Sequence, residues 1–296
     1  MTRPFRFGVG PAGLPGRPGA AGRWPDFARR LEDLGYDAVN VGDHLDARLA
    51  PLVALAAAGA AAARLRLGTV LLASDYRNPV VLAQEFATLA ALYPDRVEAG
   101  IGAGWLAADY LRAGIDFDRP AVRIDRLAAA VATLRRSFAS EHFGAGSRPP
   151  IVMGGGGRKV LALAAAHADI VAFNVSLGAG RMGAAPGVSA TAEQVAERVT
   201  WVAESAGERY PELEFQVYVH AVEVGQDRVA AAARAGERLG LMTEEAMESP
   251  HVLAGPHDYI AEALEERRQR YGFSYIGISG EAVEPLAPVV ARLAGT

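Results

Sequence analysis

Short runs of consecutive apolar and β-branched residues alternate along this chain with longer segments in which apolar positions recur every three or four residues. Phe5–Val9 reads as a strand and Trp24–Leu34 as an amphipathic helix closed by Gly35. The alternation continues through strand Ala38–Val41, helix Pro51–Ala63, strand Leu67–Leu72, helix Pro79–Leu92 and strand Val97–Ile101. Helix Val122–Phe138, strand Ile151–Met153, helix Lys159–Ala166 and strand Ile170–Phe173 follow. The last third predicts helix Glu193–Glu204, strand Phe215–Val219, helices Arg228–Leu239 and His257–Tyr271, strand Tyr275–Ile278 and helix Glu284–Leu293.

Eight strands result, nearly all separated by helices and apolar on both faces, as parallel strands are when helices cover one side and a packed lumen the other. The expected fold class is α/β, a (β/α)8 TIM barrel. A doubly wound sheet is the competing arrangement, and Gly8-Val9-Gly10-Pro11-Ala12-Gly13 superficially resembles its glycine-rich first turn. Prolines at 11 and 15 speak against that, since the loop runs on through Gly16, Pro18, Gly19 and Gly22 before a helix begins. No repeat or low-complexity linker divides the chain, so residues 1–296 are expected to form a single domain. Ser176–Ser189, rich in Gly and Ala, follows a strand and has no periodicity, which suits either a lid over the barrel mouth or a plain surface loop.

Composition narrows the function more than the fold. A net charge of −4, from 30 basic and 34 acidic residues spread along the chain, provides no cationic stripe for a row of phosphates, and nucleic acid is not an expected partner. No apolar run reaches signal-peptide or membrane-span length, and there is no cysteine, so thiolate catalysis, thiolate metal sites and disulfides are excluded. The expectation is a cytoplasmic protein acting on a small molecule. The Ala-rich helix Pro51–Ala63 offers small side chains against which a second helix could pack, and a homodimer is expected.

Strand ends hold the polar residues. Val41-Gly42-Asp43-His44-Leu45 sets a carboxylate and an imidazole on one rim. His44 can move a proton near neutral pH and Asp43 can orient it or bond a ring N–H, though an Asp-His pair equally serves as a turn cap and a packing residue. Gly154-Gly155-Gly156-Gly157-Arg158-Lys159 joins a strand to an amphipathic helix, so free backbone, a helix N-terminus and Arg158 suit a phosphate better than a plain tight turn would require. In Gly100-Ile101-Gly102-Ala103-Gly104-Trp105, glycine lets a flat ligand approach the backbone, and Trp105 can wall the pocket or simply close the barrel top. Arg77 stands on the rim before Pro79, within reach of a carboxylate of ligand or protein. His220 and His251 end a strand and a loop and could line the pocket, whereas lone histidines are more often structural. No two histidines have metal-pair spacing, and no metal is expected.

Taken in order, LEDLGYDAVNVGDHL, RLRLGTVLLASDYRNPVVLAQEFATL, DRVEAGIGAGW, FDRPAVRIDRL, PPIVMGGGGRKVLALAAAHADIV and SPHVLAGPHDYIAEALEERRQRYGFSYI resemble the luciferase-like monooxygenase superfamily, and within it the deazaflavin-dependent oxidoreductases. The resemblance spans nearly the whole chain. It implies coenzyme F420 at the barrel mouth, with its phosphate-bearing tail at Gly154–Gly157 and a non-proline cis peptide at Val70-Leu71 against its ring. It also implies Asp43-His44 as the acid-base pair. Relatives that oxidise sugar phosphates carry a glutamate where Trp105 stands, which argues against that activity. Many relatives also have a longer hairpin than Glu141–Arg148. Three readings follow: an F420-dependent reductase or dehydrogenase, an FMN-dependent monooxygenase on the same barrel, or a catalytically silent barrel. Cofactor choice separates them.

Overall fold

The computed structural model describes residues 3–10, 20–46, 49–141, 148–176, 180–181 and 185–296. In order, the first half contains β1 (Arg6–Gly10), α1 (Ala20–Asp33), β2 (Ala38–Val41), α2 (Pro51–Ala61), β3 (Arg66–Thr69), β4 (Leu72–Ala73), α3 (Pro79–Leu92), β5 (Val97–Gly102), α4 (Ala107–Ala113) and α5 (Pro120–Phe138). The second half contains β6 (Ile151–Gly155), α6 (Arg158–His167), β7 (Ile170–Phe173), α7 (Ala192–Ala206), β8 (Glu214–Tyr218), β9 (Ala221–Val224), α8 (Arg228–Leu239), α9 (Thr243–Glu248), β10 (Val252–Gly255), α10 (His257–Tyr271), β11 (Phe273–Ser279) and α11 (Val283–Leu293).

All pairings are parallel, in the order β3-β2-β1-β11-β8-β7-β6-β5-β4, and β3 also pairs with β5. Since β4 continues β3, the sheet closes into the expected barrel of eight staves. Local chemistry agrees with each helix start. Pro51, Pro79 and Pro120 open α2, α3 and α5, where a missing N–H costs nothing. The side chains of Asn78, Thr191 and Asp227 cap α3, α7 and α8. The outer face of the sheet and the inner faces of the helices merge into one apolar core from Phe5 to Leu293.

The barrel lumen is polar at the strand N-termini. Glu98 of β5 is wholly buried, yet it accepts from Arg6 (2.7 Å), Arg66 (2.8 Å) and the Tyr275 hydroxyl (3.1 Å). Burial pushes its carboxyl up, but the two guanidiniums more than offset that and hold it below the usual carboxylate range. Arg6 also bonds Glu214 with Nε and Nη2 and lies over the Tyr275 ring at 4.2 Å. Asn40 and Tyr275 complete the plug, in space left by glycine: a Cβ on Gly68 would stand 2.1 Å from Asn40 Oδ1.

Three features depart from the expected pattern. Leu67–Leu72 is not one strand, because the Val70-Leu71 peptide is cis, as the resemblance implied, and splits it into β3 and β4. Across this break the Thr69 hydroxyl takes over the ladder, donating to Gly100 O and accepting from Gly100 N, both at 2.8 Å. A Cβ on Gly100 would lie 1.8 Å from Thr69 O, so the close approach requires glycine. Unexpected β9 and β10 form a separate two-stranded parallel sheet beside the barrel, packed with α8 and α9. Helices α4 and α9, of seven and six residues, are too short to register as a helical period. In the suggested lid Ser176–Ser189, residues 177–179 and 182–184 lie outside the described residues, as do 11–19 of the first glycine-rich loop and 142–147 of the short hairpin segment. Among the described residues no helix is long and apolar enough to cross a membrane.

Candidate active site

A cavity of about 320 Å³ opens at the C-terminal ends of the barrel strands. Asp43 and His44 after β2, Val70 and Leu71 between β3 and β4, Gly102 at the end of β5 with Trp105 beyond it, and Gly154–Gly157 from the end of β6 to the start of α6 all line it. The sequence-derived set is thus largely gathered in one place.

His44 is held by a residue that sequence reasoning missed. Its Nδ1 lies 2.7 Å from Asp109 Oδ2, and Asp109 Oδ1 accepts from Leu45 N and Arg112 Nη1, both at 3.1 Å. The Asp109 side chain is 3% exposed and that of His44 is 21% exposed, so a buried anion faces a ring that reaches the cavity. Because a carboxylate accepts, Nδ1 carries the hydrogen and Nε2 is the nitrogen free to take a proton. Trp105 meets the imidazole edge-on at 5.6 Å. Asp109 belongs to α4, which is anchored by the wholly buried Tyr110, whose hydroxyl donates to Asp75 at 2.9 Å.

The orienting carboxylate is therefore Asp109, not the neighbouring Asp43. Asp43 Oδ2 accepts from Ala73 N (2.8 Å) and Arg77 Nη1 (3.2 Å), which ties the β2 end to the segment after the cis peptide. Burial pushes the Asp43 carboxyl up, with the Ala73 N–H and Arg77 pulling back only part of the way. Arg77 is committed to this pair and does not line the cavity.

At the opposite end, α6 begins at the turn. Gly157 is its N-cap, with no side chain capping it, and its first-turn N–H groups have no intrahelical partners. Gly155 has φ +152°, a conformation open to glycine, and a Cβ on Gly156 would be 2.5 Å from Val175 O, so the backbone itself forms the wall. Asn174 and Ser176, both missed, line the same end. Asn174 Oδ1 accepts from Val175 N (2.8 Å) and His220 Nε2 (2.6 Å), which leaves its amide NH₂ as the free donor. Arg158 departs from expectation: its side chain runs outward to Glu204 at 3.3 Å and does not line the cavity.

His220 and His251 stand behind the wall, not on it. His251 is wholly buried with Nδ1 donating to Tyr218 O at 2.8 Å, and its Nε2 has no partner. Their rings are 5.8 Å apart, and they support Asn174 and Tyr218, which do line the cavity. Burial pushes His220 down to about 4; burial and the neighbouring His220 push His251 down to about 3. Gln216, Tyr76, Leu106, Pro120, Arg123 and Ile124 also line the cavity. Among the described residues no group of three or more His, Asp or Glu could hold a metal ion. His142 lies outside the described residues.

Comparison with known proteins supplies context. A family model described as luciferase-like monooxygenase matches residues 7–274. An F420-dependent glucose-6-phosphate dehydrogenase of Microbacterium testaceum is 35% identical over 149 residues, 48% of this chain and 43% of that protein. The match spans less than half the length of that relative. The F420-dependent tetrahydromethanopterin reductase of Methanopyrus kandleri superposes with a TM-score of 0.70 at 17% identity, covering 98% of both chains. A monooxygenase of Streptomyces bottropensis does so with a TM-score of 0.70 at 21% identity, covering 97% of both. At these identities the structures share the fold, and the fold carries both chemistries.

The two buried histidines make stability depend on pH. Their folded pKa values lie below that of an unfolded histidine, so between about pH 6.5 and 4 the unfolded chain binds more protons and folding stability falls as pH falls. Urea denaturation at pH 7 and pH 5 is expected to show a loss of about 2–4 kcal/mol from the pair. In the double variant His220→Gln, His251→Gln the difference shrinks. An unchanged parental midpoint across this range contradicts burial of neutral rings.

Proposed function

This chain belongs to the luciferase-like monooxygenase family, and from that premise we propose that it is a coenzyme F420-dependent oxidoreductase moving a hydride between the deazaflavin and a small organic substrate. One observation carries the reading. A single cavity holds a donor-only turn at Gly154–Gly157 and, at its other end, an imidazole whose proton inventory is set by buried Asp109. The 35% identity to an F420-dependent dehydrogenase supports deazaflavin over FMN.

The residues present fit such a cofactor. Unpaired N–H groups at the start of α6, the Asn174 amide and Ser176 form a donor set with no carboxylate among them, suited to a phosphate diester. Val70, Leu71 and Gly102 provide a flat wall between the two ends. When bound, the deazaflavin supplies a carbon that accepts or gives hydride. The protein's part is to orient the substrate and manage its proton: Asp109 fixes the His44 ring and tautomer, Nε2 takes or returns the proton at the substrate heteroatom, and Trp105 shields the imidazole from water. Asp43 and Arg77 hold the rim in register.

The chain is further read as one barrel domain over 1–296, supported by β1 pairing with β11 at the two ends of the chain. A cytoplasmic location accords with the absence of cysteine. A homodimer is supported by Val53 on α2 and Val80 and Val81 on the adjacent α3, all more than half exposed on neighbouring helices.

Four experiments test this reading. Gly157→Asp adds a Cβ that meets nothing within 4 Å, so it folds and supplies the missing cap. Its melting midpoint is expected to hold or rise, by about 0.5–1 kcal/mol of stability, while deazaflavin affinity is lost because a carboxylate occupies the anion seat. Titrating the parent with F420 and FMN decides the cofactor, and tighter binding of FMN transfers the reading to the monooxygenase class. In His44→Ala, deazaflavin affinity changes little, whereas single-turnover hydride transfer falls by about 10²–10⁴. Asp109→Asn falls in the same direction with an altered pH profile, and parental rates in both variants remove the proton role. Light scattering is expected to give twice the 31.1 kDa chain mass, and Val53→Asp with Val81→Asp to give a monomer; a monomeric parent refutes the interface.

A further inference from the structure

The walls of the His44 end carry information about the substrate. Among the described residues, Arg123 is the only arginine or lysine that lines the cavity. It is buried and braced by backbone: Nε donates to Asp118 O at 3.0 Å, Nη1 reaches the carbonyls of Gly104 and Ala103, and the guanidinium lies 4.1 Å over the Phe117 ring. It braces the loop after β5, with Nε and Nη1 committed to backbone carbonyls. Arg77 and Arg112 stand outside the lining, each paired with a carboxylate that does line it, Asp43 and Asp109. Arg126, farther out, bonds Asp75 and Asp118.

An anionic substrate at this end would leave water to face two carboxylates whose cations are already neutralised, a costly desolvation with no compensating pair. Trp105, Leu106, Pro120, Ile124 and the ring of Tyr76 supply apolar wall beside them. Apolar surface of that kind favours an apolar body, with His44 as the group that meets one polar atom. The donor-only seat at Gly154–Gly157 lies at the opposite end and belongs to the cofactor tail.

We infer that the substrate is uncharged, with a single hydroxyl or carbonyl oxygen directed to His44 Nε2 and an apolar, ring-sized body packed on Trp105, Leu106 and Ile124. Among the described residues the one cation lining the cavity, Arg123, already donates to backbone carbonyls, so this geometry disfavours phosphorylated sugars, although a relative 35% identical is named for glucose 6-phosphate. The inference rests on the oxidoreductase reading above, and its test is separable from that reading because it measures binding.

The test is calorimetric titration of the whole protein, with and without bound deazaflavin, using cyclohexanol, cyclohexanone and glucose 6-phosphate as probes. Expected is saturable binding of the alcohol or ketone that changes less than about twofold between low and high salt, because no ion pair forms. Trp105→Phe is expected to keep that binding and Trp105→Glu to weaken it about tenfold or more, by replacing apolar wall with charge. Glucose 6-phosphate is expected to show no binding at the His44 end. Glucose 6-phosphate binding tighter than either cyclic probe overturns the inference. So does failure of both cyclic probes to bind a protein that does bind deazaflavin. Absence of deazaflavin binding, by contrast, falls on the proposed cofactor, while the cofactor-free titrations still judge the wall. Ile124→Asp provides an independent variant on α5, and unchanged ketone affinity in it counts against the proposed packing.

Discussion

A fully buried carboxylate inside a closed barrel sets the terms for the rest of this molecule. Glu98 cannot be ionised in the lumen without Arg6 and Arg66, and those guanidiniums cannot be buried there without Glu98 and Glu214. The mutual requirement draws β1, β3, β5 and β8 together at their N-terminal ends, with Tyr275 of β11 and Asn40 of β2 filling the remaining space. These charged side chains occupy the N-terminal end, and the cavity lined by Asp43, His44 and Gly154–Gly157 lies at the C-terminal ends of the strands, where the loops gather.

The mouth divides its work by charge. Among the described residues, backbone N–H groups and amide donors converge at one end without a carboxylate; at the other, Asp43 and Asp109 are paired with Arg77 and Arg112, and Arg123 donates to backbone carbonyls. The proposed anionic tail and uncharged reactant would thus meet opposite ends of one cavity, and His44 stands on the second. Its imidazole has a fixed tautomer because Asp109 is buried and held on three sides, by the ring, by Leu45 N and by Arg112. His220 and His251 work at one remove, as neutral rings that fix Asn174 and Tyr218 from behind.

Membership of the family bears on the fold more firmly than on the chemistry. Reductase and monooxygenase structures superpose on this barrel equally well, so the distinction between them resides in the side chains at the mouth. Trp105 is the clearest case: an indole where an acidic group would change the wall from apolar to anionic, placed edge-on against the His44 ring.

Strand and helix periodicity, proline starts and glycine turns were enough to place all eight staves and the turn at Gly154–Gly157, because those features depend on backbone chemistry within a few residues. Asp43, His44, Gly102 and Trp105 were readable as rim residues for the same reason: each follows an apolar run that can only be a strand. The partner of His44 was not readable. Asp109 lies 65 positions away on a helix of seven residues, too short for a period, and only barrel closure brings its carboxylate to Nδ1. Arg158 and the two late histidines were placed correctly along the chain and wrongly in space, since strand-end position fixes where a Cα lies and packing decides where the side chain goes. Sequence by itself determined the barrel, its rim and its glycine-rich turn; tertiary structure alone decided which carboxylate holds the imidazole and which cations are paired, because both depend on contacts between residues far apart in the chain.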